Sequence, residues 1–221
     1  MNIQVNRISH PVTSLGPGKR IVVWLQGCSR HCPGCDSIDT WDCNAGKTLN
    51  VEYLAARIAR IVKTEHLDGI SITGGEPFEQ ADALICLLEI LKDNLCDKSD
   101  DAKSQSNFSI LVFTGFSQGY IRNKFPLLDS IVDVLVCGSY MKDRPKVNCL
   151  IASSNQKLVY LNELVKDDFQ TYLNKSEQPI QFDIKGSDVY IVGIPNNGDL
   201  SMIQQQLKER GIVFKETSWQ N

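Results

Sequence analysis

Three cysteines, Cys28, Cys32 and Cys35, fall within eight residues, just behind an unbroken apolar run, Ile21-Val22-Val23-Trp24-Leu25. A run of this kind fits a strand buried on both faces, as strands of parallel α/β sheets are. The Gly- and Pro-containing loop at its end, Gly27-Cys28-Ser29-Arg30-His31-Cys32-Pro33-Gly34-Cys35, can bring three thiols toward one object.

The rest of the chain supplies cover for such a strand. Asn50 is placed to cap a helix with Val51, Leu54, Ala55, Ile58, Ile61 and Val62 on one face. A short strand, Gly69–Thr73, runs into Gly74-Gly75-Glu76-Pro77, and a second helix carries Leu84, Leu87, Leu88, Leu91 and Leu95. Lys98–Asn107 has one apolar residue, Ala102, and reads as a solvated loop. Ile110–Phe113 is a third strand closed by Thr114-Gly115, followed by a short helix over Ser117–Lys124 and a fourth strand over Val132–Val136. Strand–helix alternation predicts an α/β fold with a parallel sheet and right-handed crossovers. Beyond Lys157 the rhythm loosens to a strand at Leu158–Leu161, a polar helix and paired strands at Ile180–Ile184 and Val189–Val192. Asp199 can cap a last helix that Gly211 stops. We read residues 1–161 as the core domain and 162–221 as a small C-terminal α/β extension packed on it.

With 221 residues, 42% of them hydrophobic, the chain is long enough for one large domain with a substantial core. A formal net charge of −3 gives no basic excess for phosphate backbones, so nucleic acid is not an expected partner. No apolar run approaches the roughly 18–20 residues of a membrane span. Met1–Arg7 lacks the apolar stretch of a secretory signal, so the expectation is a cytoplasmic protein with reduced cysteines.

Soft thiolates select zinc, Cu(I) or iron–sulfur clusters. A structural zinc site takes four protein ligands, and Cys43 or His31 could complete one. A [4Fe–4S] cluster on three cysteines instead leaves one iron open to a small molecule. The Gly74-Gly75-Glu76-Pro77 turn admits two readings as well. Its glycines let a ligand approach the backbone and its carboxylate can accept from an ammonium group; equally, it is a strand-to-helix turn.

A Cys-x3-Cys-x2-Cys loop followed by Gly-Gly-Glu on the next strand resembles the radical S-adenosylmethionine superfamily. Cys32-Pro33-Gly34-Cys35, Thr40-Trp41-Asp42, Gly46-Lys47, Ile72–Phe78, Val132–Gly138 and Ser153-Ser154-Asn155-Gln156 are similar to the activating proteins of anaerobic ribonucleotide reductases. That resemblance covers residues 10–161 in matching order. It implies a partial (β/α)6 barrel with one [4Fe–4S] cluster on Cys28, Cys32 and Cys35. S-adenosylmethionine would be cleaved reductively there to a 5′-deoxyadenosyl radical, which makes a glycyl radical on a partner enzyme. An electron donor such as a flavodoxin or ferredoxin is implied too. Glu76, with Gly74 and Gly75, would hold the methionine ammonium; Gly34 and Asp36 would face the nucleoside; Thr114 would contact the ribose or carboxylate, or cap its strand. No catalytic side chain is implied, since the cofactor carries the chemistry.

The sequence departs from that family twice. Cys137 stands where an aspartate is usual, and some 60 residues follow the stretch where minimal activases end. Radical modification of another peptide or small molecule is thus a second reading, and a non-enzymatic zinc or closed iron–sulfur protein a third. Trp24 is expected in the core, Cys137 as a buried small hydrophobe, and Trp41 as a shield of the cluster loop from water.

Overall fold

In the computed structural model, residues 1–95, 108–175, 180–196 and 198–214 are described. The expected loop Lys98–Asn107 lies outside them. The elements in chain order are β1 (Asn2–Val12), β2 (Arg20–Leu25), β3 (Lys47–Asn50), α1 (Val51–Glu65), β4 (Gly69–Gly74), α2 (Ala81–Leu95) and β5 (Ser109–Thr114). They continue with α3 (Gln118–Lys124), β6 (Val134–Cys137), β7 (Lys157–Tyr160), α4 (Lys166–Leu173), β8 (Gln181–Lys185), β9 (Asp188–Val192) and α5 (Asp199–Glu209).

Seven strands form one sheet in the order β3-β1-β2-β4-β5-β6-β7. The four central strands are parallel, and β1 and β7 flank them antiparallel. Alternate residues of the parallel strands serve opposite faces. Ile21, Val23, Leu25, Ile70, Ile72, Ile110, Val112 and Leu135 pack beneath α1, α2 and α3. Val22 and Trp24, and next to them Leu111, Val134 and Val136, face the other way. The apolar run of β2 is therefore continuous because each face has its own cover. α1 forms as its spacing predicts, with the Asn50 side chain accepting from the Tyr53 N–H at 2.9 Å and His66 ending the helix in the left-handed conformation.

The extension covers the second face. Phe169 and Tyr172 of α4 join Leu111, Val134 and Val136, and Val192 of β9 joins Val22 and Trp24. The two-stranded β8–β9 sheet is tied to β1 and the segment after it: Gln181 donates to the Pro11 carbonyl at 2.7 Å, and Ser14 Oγ to the Val192 carbonyl at 2.9 Å. Asp199 is the first residue of α5, with Gly198 at the cap position.

Candidate functional site

At the C-terminal edge of the parallel strands, where open α/β sheets place ligands, four loop starts converge. The cysteine loop leaves β2, the Gly-Gly-Glu turn leaves β4, Gly115 follows β5, and Gly138-Ser139 follow β6. The first two are locked together through the backbone. Gly75 N–H donates to the Leu25 carbonyl at 2.8 Å and Glu76 N–H to the Gly27 carbonyl at 2.9 Å. A Cβ on Gly75 would stand 2.1 Å from the Gly27 oxygen, and one on Gly74 2.6 Å from Leu25 backbone atoms. Both glycines are thus required by the close approach of β4 to the exit of β2.

Glu76 is buried and already occupied. Its carboxylate accepts from Thr114 Oγ1 at 2.7 Å, Gly115 N–H at 2.8 Å and Phe78 N–H at 3.1 Å. Burial pushes its carboxyl above the usual range, against the pull of these donors and of Arg30. Thr114 is committed to Glu76 and accepts from Phe116 N–H at 3.1 Å, a strand-end brace. Cys137 lies in the helix-side core with its thiol pushed up to about 11 by burial.

The cysteine loop is gripped from several sides. Gly27 and Cys28 N–H groups donate to the Thr40 and Trp41 carbonyls at 2.7 and 3.1 Å. Glu79 accepts from Ser29 N–H at 3.1 Å and from its hydroxyl at 2.5 Å. His31 (φ 44°) and Gly34 (φ 77°) turn through the left-handed region. The His31 ring stacks on Trp41 at 4.6 Å between centroids. The stem of Lys142 passes 3.0 Å from where a Cβ on Gly34 would lie. Arg30 reaches across to Ser139 Oγ and stacks 4.9 Å from the Phe116 ring, while its buried Nε–H finds no partner.

Cys28, Cys32 and Cys35 are all half-buried free thiols, and burial raises those of Cys28 and Cys35. Cys43 is exposed beside Gly27. Among the described residues no three His, Cys, Asp or Glu side chains converge closely enough to hold a metal ion. The loop thus brings three free thiols to one edge without drawing them to a single point, that of Cys35 accepting from Ser37 N–H at 3.4 Å. A soft donor set of this size, on a loop held from four sides and beside the unpartnered Nε–H of Arg30, fits a multi-iron cluster.

Sequence reasoning missed Glu79, Arg30 and Lys142. Glu79 reads locally as an acidic first helical turn, and Arg30 is a non-ligand position of the motif; their roles exist only once the strands are side by side.

Residues 14–159 match the family model described as a 4Fe-4S single cluster domain. The chain is similar to the anaerobic ribonucleoside-triphosphate reductase-activating protein of Salmonella typhi, 26% identical over 148 residues, covering 66% of this chain and 90% of that protein. The protein of that name from Enterobacteria phage T4 is 28% identical over 148 residues, covering 65% and 85%. The pyruvate formate-lyase-activating enzyme of Clostridium pasteurianum is 35% identical over 92 residues, 38% of each chain.

Proposed function

We propose, from the premise that this chain belongs to the family of 4Fe-4S single-cluster domains, that it is a radical S-adenosylmethionine enzyme activating a glycyl radical enzyme, with an anaerobic ribonucleotide reductase as the first candidate partner. The observation that carries this reading is the three-cysteine loop, its cysteines free, locked by backbone bonds to the Gly-Gly-Glu turn at the strand edge. The names of the relatives support the same role.

In this reading the four parallel strands and their helices are the retained part of a (β/α)6 radical barrel. Cys28, Cys32 and Cys35 would hold the cluster, which once reduced would supply an electron for cleaving the sulfonium of S-adenosylmethionine. The protein's own residues position and shield. Glu76 ties β4 to Thr114 and Gly115 of the next strand end, and in this reading its carboxylate would also accept from the methionine ammonium group. Gly74 and Gly75 keep the cysteine loop against β4. Gly34 and Asp36 offer backbone toward a nucleoside, and the unmet Nε–H of Arg30 offers a donor to an anionic group. An electron donor of the flavodoxin or ferredoxin kind, and a cytoplasmic setting, belong to the same reading.

Anaerobic reconstitution tests it. The protein should bind about four irons and four sulfides per chain, as one [4Fe–4S] cluster requires. Cys28→Ala, Cys32→Ala and Cys35→Ala should each abolish uptake, and Cys43→Ala should leave it intact. Loss of the cluster in the Cys43 variant would point to a closed site and against a radical mechanism.

A further inference from the structure

Of the three cysteines in the loop, Cys28 is the one whose backbone is tied down at three consecutive residues. Before it, Gly27 N–H donates to the Thr40 carbonyl at 2.7 Å, and the Gly27 carbonyl accepts from Glu76 N–H at 2.9 Å. Cys28 N–H itself donates to the Trp41 carbonyl at 3.1 Å. After it, Ser29 is held by one side chain, that of Glu79. Ser29 N–H donates to both carboxylate oxygens at 3.1 Å, and its hydroxyl donates to Oε1 at 2.5 Å. Glu79 belongs to the Pro77–Gln80 turn that Glu76 caps. The exit of β4 therefore brackets Cys28, with Glu76 on one side and Glu79 on the other.

The Cys32–Cys35 turn is built differently. Among the described residues its backbone is bonded only within itself, Cys35 N–H donating to the Cys32 carbonyl at 3.1 Å. The stem of Lys142 lies against Gly34, a long side chain that can shift. Because the three thiols do not meet at one point, holding a single cluster requires part of the loop to move. The part with the fewest backbone ties is this turn. We propose that Cys28 is the fixed ligand, onto which the Cys32–Cys35 turn closes as the cluster is taken up, and that Glu79 is the positioning residue that holds it there through Ser29. This rests on the cluster reading above.

A carboxylate makes charge-assisted bonds, about twice as strong as neutral ones. Ser29 and Glu79 are both exposed, so water replaces these bonds in the unfolded chain and they add little to global stability. Their effect is local. Loss of a merely structural residue would lower the melting temperature of the cluster-free protein, whereas loss of a positioning residue shortens the life of the cluster.

The test mixes anaerobically reconstituted wild type, Glu79→Ala and Glu79→Gln with excess iron chelator and follows cluster loss by visible absorbance. Glu79→Ala should lose its cluster about tenfold faster, the weight of one charge-assisted hydrogen bond. The Tm of its cluster-free form should stay within about 2 °C of wild type. Glu79→Gln keeps an oxygen acceptor without the charge and should fall between the two. A wild-type rate in Glu79→Ala, a larger fall in its Tm, or a Glu79→Gln rate equal to that of Glu79→Ala overturns the proposal. Should Glu79→Ala take up no cluster, Glu79→Gln and Ser29→Ala decide in its place. Each should lose its cluster severalfold faster than wild type, and wild-type rates in both overturn the proposal. Wild-type protein that takes up no iron and sulfide would refute the cluster reading itself, a result distinct from all of these.

Discussion

Cys137 shows how burial decides what a cysteine does. Its side chain packs in the helix-side core and its thiol is pushed from 9 up to about 11, chiefly by desolvation. A thiol enclosed among apolar side chains of that core behaves as a small hydrophobe. Below pH 9 native and unfolded chains both hold this proton. Between 9 and about 11 the unfolded chain releases it while the native one keeps it, so stability falls as pH rises. Denaturant titrations of wild type and Cys137→Ala should therefore converge over that window, by about 2–3 kcal/mol for a shift of roughly two units. Parallel curves would mean that the thiol ionises normally in the fold. Glu76 teaches the complementary lesson. Its place in a strand-to-helix turn was legible, but its partners Thr114, Gly115 and Phe78 arrive from the neighbouring strand end and the following turn, which the spacing does not reveal.

Elements were legible where packing repeats along the chain. The apolar runs of β2, β4, β5 and β6 and the stripes of α1 and α2 each report local periodicity, and all six form close to the expected positions. β1 and β3 were not legible. β1 buries Ile3 and Val5 but then carries Arg7, whose guanidinium lies between the Trp24 and Tyr190 rings at 4.4 and 4.9 Å. A charge in the middle of a strand hides its alternation, and only its neighbours explain it. The Gly-Gly pair was visible as a motif, but its cause is the approach of β4 to the exit of β2. Gly75→Ala should cost about 1–3 kcal/mol through overpacking against backbone, a fall in Tm of roughly 2–12 °C for a chain of this size. Gly119→Ala is the control: beyond its chain neighbours and its own helix backbone no atom lies within 4 Å of the added methyl, and the residue sits in α3, so Tm should hold or rise slightly. Equal behaviour of the two variants in a thermal melt would sink the close-approach argument.

At the scale of the molecule, the extension is cover for a sheet face. Its elements α4 and β9 bury Phe169, Tyr172 and Val192 against the face opposite α1–α3. Periodicity within the extension could not show this, because the polar helix α4 contributes only Phe169 and Tyr172 to that contact as buried residues. Truncation after Leu161 would bare Val22, Trp24, Leu111, Val134 and Val136, an apolar patch that soluble monomers do not carry exposed. The shortened protein should precipitate or lose its cluster, as followed by sedimentation and iron content. A soluble truncated chain that retains its cluster would contradict the role of the extension as cover for that face. The central claim, that three cysteines leave one iron open for S-adenosylmethionine, is tested most directly by EPR of the dithionite-reduced, reconstituted protein with and without that ligand. An open iron predicts a signal whose g-values shift when S-adenosylmethionine is added. A cluster signal that does not change at saturating ligand would contradict it.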